Sequence, residues 1–182
     1  MLTTTSPGEV ALDLAADAAH TAYWEAQKRF TPAERGADVL LGADGTPSKH
    51  IDVFVEDAII DAVTPTGVNI LSEERGWIDQ GSAFTLVVDP VDGTANAAAG
   101  VPLACFSAAI ADDHTFTHAM TSWLHTNDRW IALNHDSDYR VSDTTSVADA
   151  AVSLLRPHAT NVDAWNRGPH KPNACAFSGA AH

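Results

Sequence analysis

The chain has 182 residues, of which 24 are Asp or Glu and 10 are Lys or Arg, so its formal net charge is −14. A hydrophobic content of 45% is typical of a globular protein and argues against global disorder. The negative charge disfavours a protein that binds nucleic acids or anionic membranes, although a bound divalent cation can still recruit a phosphate-bearing substrate.

Cysteine content and the N-terminal sequence indicate a cytoplasmic protein. Cys105 and Cys175 are the only cysteines, and they form neither a disulfide framework nor a zinc-binding spacing. Residues 1–9 lack the basic and apolar regions of a signal peptide. No apolar run approaches the roughly 18 residues that a transmembrane helix needs.

Lysine is rare in this acidic chain and occurs only at positions 28, 49 and 171. An acidic surface with little lysine is typical of proteins adapted to high salt, where screening suppresses the repulsion between like charges. Composition alone also fits an ordinary acidic protein.

Two helices are predicted near the N-terminus. Apolar residues recur at helical spacing over residues 9–30 and again over about 51–63. The intervening residues 31–50 are rich in Pro and Gly and are predicted to form loops and turns.

Five apolar segments after the second helix are predicted to be strands, with hairpin-like connections between the last three. They are residues 68–71, 84–88, 104–111, 116–124 and 129–133. This order predicts an α+β fold in which two helices pack on one face of an antiparallel sheet. A further helix is expected over about residues 146–155.

The C-terminal segment 166–182 contains no acidic residue, so residues 1–165 carry all 24 acids and a charge of 8 − 24 = −16. We predict three regions: a metal-binding domain over residues 1–140, the start of a second domain over 141–165, and an irregular tail over 166–182. A mobile terminus, a truncation and a shifted reading frame would each explain the tail.

The sequence Asp89-Pro90-Val91-Asp92-Gly93-Thr94 follows a predicted buried strand, and Pro90 is expected to end the pairing of that strand. Two carboxylates so close would repel each other unless a cation lay between them, and oxygen ligands of this kind suit Mg²⁺. The amide groups of Gly93 and Thr94, at the start of a short predicted helix over residues 94–99, could then face a phosphate. The alternative is an ordinary turn, because Asp-Pro and Asp-Gly are common turn dipeptides.

Spacing excludes two other kinds of site. An EF-hand loop that began at Asp89 would need an oxygen ligand where Val91 lies and an acid at position 100, which is Gly. The two aspartates are also one residue too far apart for the Asp-x-Asp motif of phosphatases that form an aspartyl-phosphate.

Two more acidic strings precede this loop. Leu71-Ser72-Glu73-Glu74-Arg75-Gly76 follows a short apolar strand, so Glu73 could reach the edge of a sheet. Gly45-Thr46-Pro47-Ser48-Lys49-His50-Ile51-Asp52 places Asp52 in the first turn of the second helix. Taken singly, the first string fits a solvated turn, and the second fits an acid favoured by the helix dipole.

In this order, the three strings resemble the inositol monophosphatase family, and most of all its archaeal branch, which also hydrolyses fructose 1,6-bisphosphate. The resemblance covers about residues 9–135. It implies a phosphomonoesterase that uses Mg²⁺, with Mn²⁺ as an alternative, on a small phosphorylated sugar or inositol. It also implies a homodimer as one option for the assembly.

The resemblance further implies roles for individual residues. Glu73, Asp89 and the carbonyl of Val91 would hold one metal ion, and Asp89 would bridge to a second ion held by Asp92. Glu74 and Asp52 would support the outer metal site. Thr94, together with Glu73, would position the attacking water, and the amides of Gly93 and Thr94 would hold the phosphate.

The match ends before the C-terminus. The family supplies a further metal-binding Asp from a Trp-Asp motif in its second α/β domain, whereas this chain has Asp163-Ala164-Trp165. Arg156 and His158 are expected to have surface or structural roles. The second domain is therefore expected to be largely absent, and two functions remain open: an active phosphomonoesterase, or a truncated metal-binding domain without catalysis.

High salt should stabilise this chain if its composition reflects adaptation to salt. Raising KCl from about 0.1 M to 2 M shortens the screening length from about 10 Å to a few Å and relieves the repulsion among the acids. The temperature of unfolding, followed by circular dichroism, should therefore rise. An unchanged or lower melting temperature would contradict the salt adaptation.

Overall fold

The computed structural model describes residues 6–43, 45–113 and 115–133, together with the backbone of two strands over residues 151–155 and 174–178. The chain divides into two compact units, one over residues 1–137 and another over 138–182. The functional boundaries expected at residues 140 and 165 stay predictions.

Helix α1, Pro7–Arg29, confirms the first predicted helix. Ser6 caps it in a reciprocal capping box with Glu9, and Lys28 and Arg29 lie in its last turn, where the helix dipole favours positive charge. Its buried face consists mainly of alanines, which allow the helix to approach its neighbours closely.

The segment between the two predicted helices is more regular than the sequence indicated. It forms a one-turn helix α2, Pro32–Arg35, and a hairpin of β1, Asp38–Leu41, and β2, Pro47–Lys49. The prediction of loops and turns alone was wrong because the Pro and Gly residues fall at the ends of these short elements. Ser48 of β2 is buried, and the next helix begins directly after β2.

Helix α3, His50–Val63, confirms the second predicted helix and packs against α1. A 3₁₀ turn, Thr64–Thr66, follows it and ends at Gly67 in the left-handed conformation.

Six strands form the main sheet, in the spatial order β4-β3-β5-β6-β7-β8. Their bounds are β3, Asn69–Ser72; β4, Gly76–Ile78; β5, Phe84–Asp92; β6, Cys105–Asp112; β7, Thr115–Trp123; and β8, Arg129–Leu133. All five predicted strands are present, and β4 was not predicted. The α+β fold class is confirmed, but the prediction of an antiparallel sheet was wrong for β3 and β5, which pair in parallel. Strand β4 pairs antiparallel with β3 at the edge of the sheet, and the chain then crosses to the opposite side of β3 to form β5.

The core lies between one face of this sheet and the helices α1 and α3. It is filled by large side chains with no more than 2% exposure, among them Tyr23, Ile59, Leu86, Phe106 and Ile110. Burying an apolar side chain of this size contributes about 1.5–3 kcal/mol, so this layer fixes the sheet and α3 relative to each other.

The unit over residues 138–182 is described only by a parallel strand pair, β9, Ala151–Leu155, and β10, Ala174–Ser178. The predicted helix over 146–155 was wrong for residues 151–155, which pair along all five positions of β10. The prediction of a wholly irregular tail was also wrong for residues 174–178. Within the described residues, no helix is long and apolar enough to cross a membrane.

Candidate functional site

Strand β5 ends in a β-bulge that places two aspartates on the same face of the sheet. Asp89 lies opposite Ser107 and Asp92 opposite Cys105, so three steps along β5 match two steps along β6. Residues three apart in a regular strand point to opposite faces, and the extra residue of the bulge cancels that difference. The prediction that Pro90 ends the pairing was wrong because a bulge accommodates a residue without an N–H donor.

The turn after the bulge depends on Gly93. Its φ is 92°, and a Cβ at this position would lie 2.8 Å from the carbonyl oxygen of Leu103, so a side chain does not fit. Helix α4, Thr94–Ala99, begins at the next residue, and Gly100 caps its C-terminal end. These bounds confirm the short helix predicted over residues 94–99.

Asp52 lies in the first turn of α3, close to this loop, and is only 7% exposed. Its carboxylate interacts with the backbone N–H of Lys49 and with the Thr94 hydroxyl, while Oδ1 has no hydrogen-bond partner in the described part of the chain. Burial, and after it the charges of Glu74 and Glu73, raise the pKa of Asp52 to about 7.

Asp89 is affected by the same group of acids. Burial, followed by the charges of Glu73 and Asp92, raises its pKa to about 6. A hydrogen bond of 3.1 Å from the backbone N–H of Val91 to Asp89 Oδ1 partly offsets this effect.

Glu73 and Glu74 form the turn between β3 and β4 and differ in exposure. Glu73 is exposed, whereas Glu74 is 9% exposed and accepts a short hydrogen bond from the Ser48 hydroxyl. The carbonyl oxygen of Glu74 accepts a hydrogen bond of 3.0 Å from the N–H of Ala43. Glu74 is therefore held at both its side chain and its backbone.

The structure brings the five predicted carboxylates close enough to influence one another electrostatically. They are Asp52, Glu73, Glu74, Asp89 and Asp92. No three His, Cys, Asp or Glu side chains among the residues described are, however, arranged so that they could hold a metal ion together. The donors themselves suit a hard divalent cation, since all are carboxylate oxygens and one of them, Asp52 Oδ1, is buried without a partner.

Thr94 has one hydroxyl proton and two acceptors near it. Its Oγ1 lies 3.1 Å from the carbonyl oxygen of Val91, and it also interacts with the Asp52 carboxylate. The predicted water-positioning residue is therefore next to two predicted metal ligands.

Three further residues of this site were not predicted: Ser48, Glu56 and Cys105. Cys105 Sγ lies 3.6 Å from Asp92 Oδ2, and burial together with the nearby Asp92 charge raises the pKa of its thiol to about 11. Glu56 follows Asp52 by one helical turn, and this spacing could have placed both acids on the same face of the helix. Arg156, His158 and the Asp163-Ala164-Trp165 string lie outside the described residues.

Comparison with known proteins gives a matching family. The sequence profile of the inositol monophosphatase family matches residues 8–160. A fructose-1,6-bisphosphatase/inositol-1-monophosphatase of Thermococcus kodakarensis is 42% identical over 81 residues, which are 44% of this chain and 32% of the relative. A protein of the same name from Archaeoglobus fulgidus is 32% identical over 120 residues, which are 64% of this chain and 47% of the relative.

A solved structure shows the same fold. An IMPase from Thermotoga maritima superposes with a TM-score of 0.63 at 17% identity, over 93% of this chain and 68% of that one. The aligned regions span about a third to a half of these two curated relatives and about two thirds of the solved structure.

The raised pKa of Asp89 predicts a pH-dependent stability in the metal-free chain. An unfolded Asp releases its proton near pH 4, whereas folded Asp89 releases it near pH 6, so ionisation increasingly disfavours the folded state as the pH rises between these values. Asp89→Asn removes this penalty. We expect it to stabilise the metal-free chain at pH 7.5 by on the order of 1 kcal/mol, with a gain that shrinks towards pH 4.

Denaturant titrations in the presence of a chelator would measure this difference. Asp61→Asn is the matched control, because it removes an equal charge from an exposed position on α3. Equal stability changes for the two variants at every pH would contradict the claim that burial and the neighbouring acids raise the pKa of Asp89.

Proposed function

Because the chain belongs to the inositol monophosphatase family, a family of phosphatases, we propose that it hydrolyses a phosphate monoester of a small sugar or inositol with Mg²⁺. One observation carries the proposal: packing and a β-bulge hold a group of carboxylates together, although burial and the neighbouring acids raise the pKa of Asp52 and Asp89. Such a group is stabilised when it binds a divalent cation.

We assign the metal ligands as follows. Glu73, Asp89 and the carbonyl of Val91 would hold one ion, and Asp92 together with Asp89 would hold a second. Asp52 and Glu74 would support the outer site. Because the carboxylates do not yet converge, binding requires the exposed side chains of Glu73 and Asp92 to turn towards Asp89. Mn²⁺ has the same preference for oxygen ligands and should bind as well.

Divalent cations would supply the activation of water and the stabilisation of the leaving oxygen. The residues of the chain orient the reactants. If the Val91 carbonyl holds a cation, the Thr94 hydroxyl would donate its hydrogen bond to Asp52 instead. The Thr94 oxygen would then accept a hydrogen bond from the attacking water. Glu73 would accept a second hydrogen bond from that water, and the amides of Gly93 and Thr94 would bind the phosphate.

The names of the relatives support a substrate class. The two curated relatives are fructose-1,6-bisphosphatase/inositol-1-monophosphatases, which supports a small phosphorylated sugar or inositol as the substrate. The net charge of −14 disfavours a nucleic acid. The proposal includes a cytoplasmic location, with a homodimer as one option for the assembly.

A second candidate function is metal binding without catalysis. It is favoured by the string Asp163-Ala164-Trp165, which does not reproduce the Trp-Asp motif that the family resemblance implies for a further metal ligand. The first candidate predicts release of phosphate, and the second predicts metal binding alone.

Metal binding can be measured by calorimetric titration with MgCl₂ and MnCl₂. The wild-type chain should bind both ions, and Asp89→Ala should lose most of the affinity because it removes the acid shared between the two ions. Asp61→Ala, which removes an exposed acid from the far end of α3, should bind like the wild type. Equal binding by all three proteins would remove the metal assignment.

Phosphate release from fructose 1,6-bisphosphate and inositol 1-phosphate separates the two candidates. If the chain is an enzyme, Mg²⁺-dependent release should fall at least about 100-fold in Glu73→Gln, which is the usual effect of losing one preorganised electrostatic group. Asp61→Ala should leave the rate unchanged. Metal binding without any release above background would favour the non-catalytic domain.

A further inference from the structure

Glu56 is a buried acid for which the proposed reaction has no use. It lies on α3 one turn after Asp52, and its exposure is 0%. Its Oε1 accepts hydrogen bonds from the backbone N–H groups of Glu74, at 3.2 Å, and Arg75, at 3.1 Å. Its Oε2 has no hydrogen bond of good geometry within the described residues, although the Ser72 hydroxyl lies close by. A buried carboxylate is costly, so its presence calls for a reason.

The two amides that Glu56 binds belong to the turn that carries Glu73 and Glu74. The next residue of α3, Asp57, also contacts the turn, through an ion pair of 2.6 Å with the Arg75 side chain. The Ser48 hydroxyl holds the side chain of Glu74. Hydrogen bonds and an ion pair therefore hold Glu74 and Arg75 in place, and the side chain of Glu73 is exposed.

We propose that Glu56 is a positioning residue of the metal site: by accepting hydrogen bonds from the backbone N–H groups of Glu74 and Arg75, it fixes the turn that carries Glu73 and Glu74. Glu56 acts through hydrogen-bond geometry and not through its charge. This inference rests on the proposed metal-dependent function.

Two conservative variants separate geometry from charge. Glu56→Gln keeps an oxygen at the same reach, and its amide group can donate to the Ser72 hydroxyl, but it carries no charge. Glu56→Asp keeps the charge and withdraws the oxygens by one methylene. If geometry matters, Glu56→Gln should bind Mn²⁺ within about 3-fold of the wild type, and Glu56→Asp should bind it about 10–100-fold more weakly, as is usual for residues that orient metal ligands.

Mn²⁺ titration followed by electron paramagnetic resonance would measure these affinities. Ile59→Ala is the control for lost stability, because Ile59 lies on the same helix with 0% exposure and belongs to the apolar core. It should destabilise the fold without weakening Mn²⁺ binding. The opposite order, with Glu56→Asp near the wild type and Glu56→Gln weakened, would overturn the geometric role, as would equal affinities in all variants.

A second readout needs no metal. Hydrogen exchange of the Glu74 and Arg75 amides, followed by NMR in a chelator, should be slow in the wild type and in Glu56→Gln and faster in Glu56→Asp. Unchanged exchange in Glu56→Asp would overturn the inference even if metal binding were confirmed. Failure of the wild type to bind Mn²⁺ while the amides behave as expected would refute the metal function and leave Glu56 as a structural residue only.

Discussion

The arrangement of the site depends on one irregularity in strand β5. Without the bulge, Asp89 and Asp92 would point to opposite faces of the sheet. The bulge between them places both acids on the same face. Like charges so placed repel each other, and pairing with β6 keeps them there. Gly93 then allows the chain to reverse close to Leu103, where no other residue fits.

Helix α3 supplies the other half of the arrangement. Its apolar residues, such as Ile59, pack into the core and fix the helix against the sheet. Asp52 and Glu56 are carried by the same helix, so the rigid packing of α3 determines where both carboxylates lie. Folding energy from the core thus holds acids in positions that their mutual repulsion disfavours, which is typical of sites that bind cations.

Much of this could be predicted from the sequence because the signals are local. The helical spacing predicted α1 and α3, the apolar runs predicted five strands, and Gly100 ended α4 as expected. Asp89 and Glu73 drew attention because they follow apolar strands, but the resemblance of the three acidic strings to the family selected the acids at 52, 73, 74, 89 and 92 as a set. Their roles in binding metal remain proposals.

What could not be predicted depends on pairing between distant residues. The bulge is defined by Ser107 and Cys105, which lie in a different strand, and Pro90 on its own indicated an end of pairing. The parallel pairing of β3 with β5 follows from the position of β4, a three-residue strand too short to be recognised. Strand β9 forms on residues with helix-like spacing because β10 supplies a partner. The only sequence signal of Glu56 is its spacing of one helical turn from Asp52, since its partners are backbone amides.

The proposed roles of all these residues require that the acids around the bulge bind divalent cations. A crystal structure of the chain grown with MnCl₂, measured at a wavelength where manganese scatters anomalously, examines this requirement without relying on activity. We expect an anomalous peak in contact with the Asp89 carboxylate, with Glu73 and Asp92 turned towards it. A well-ordered loop with full Asp89 density and no anomalous peak beside it would show that the acids do not form a cation site.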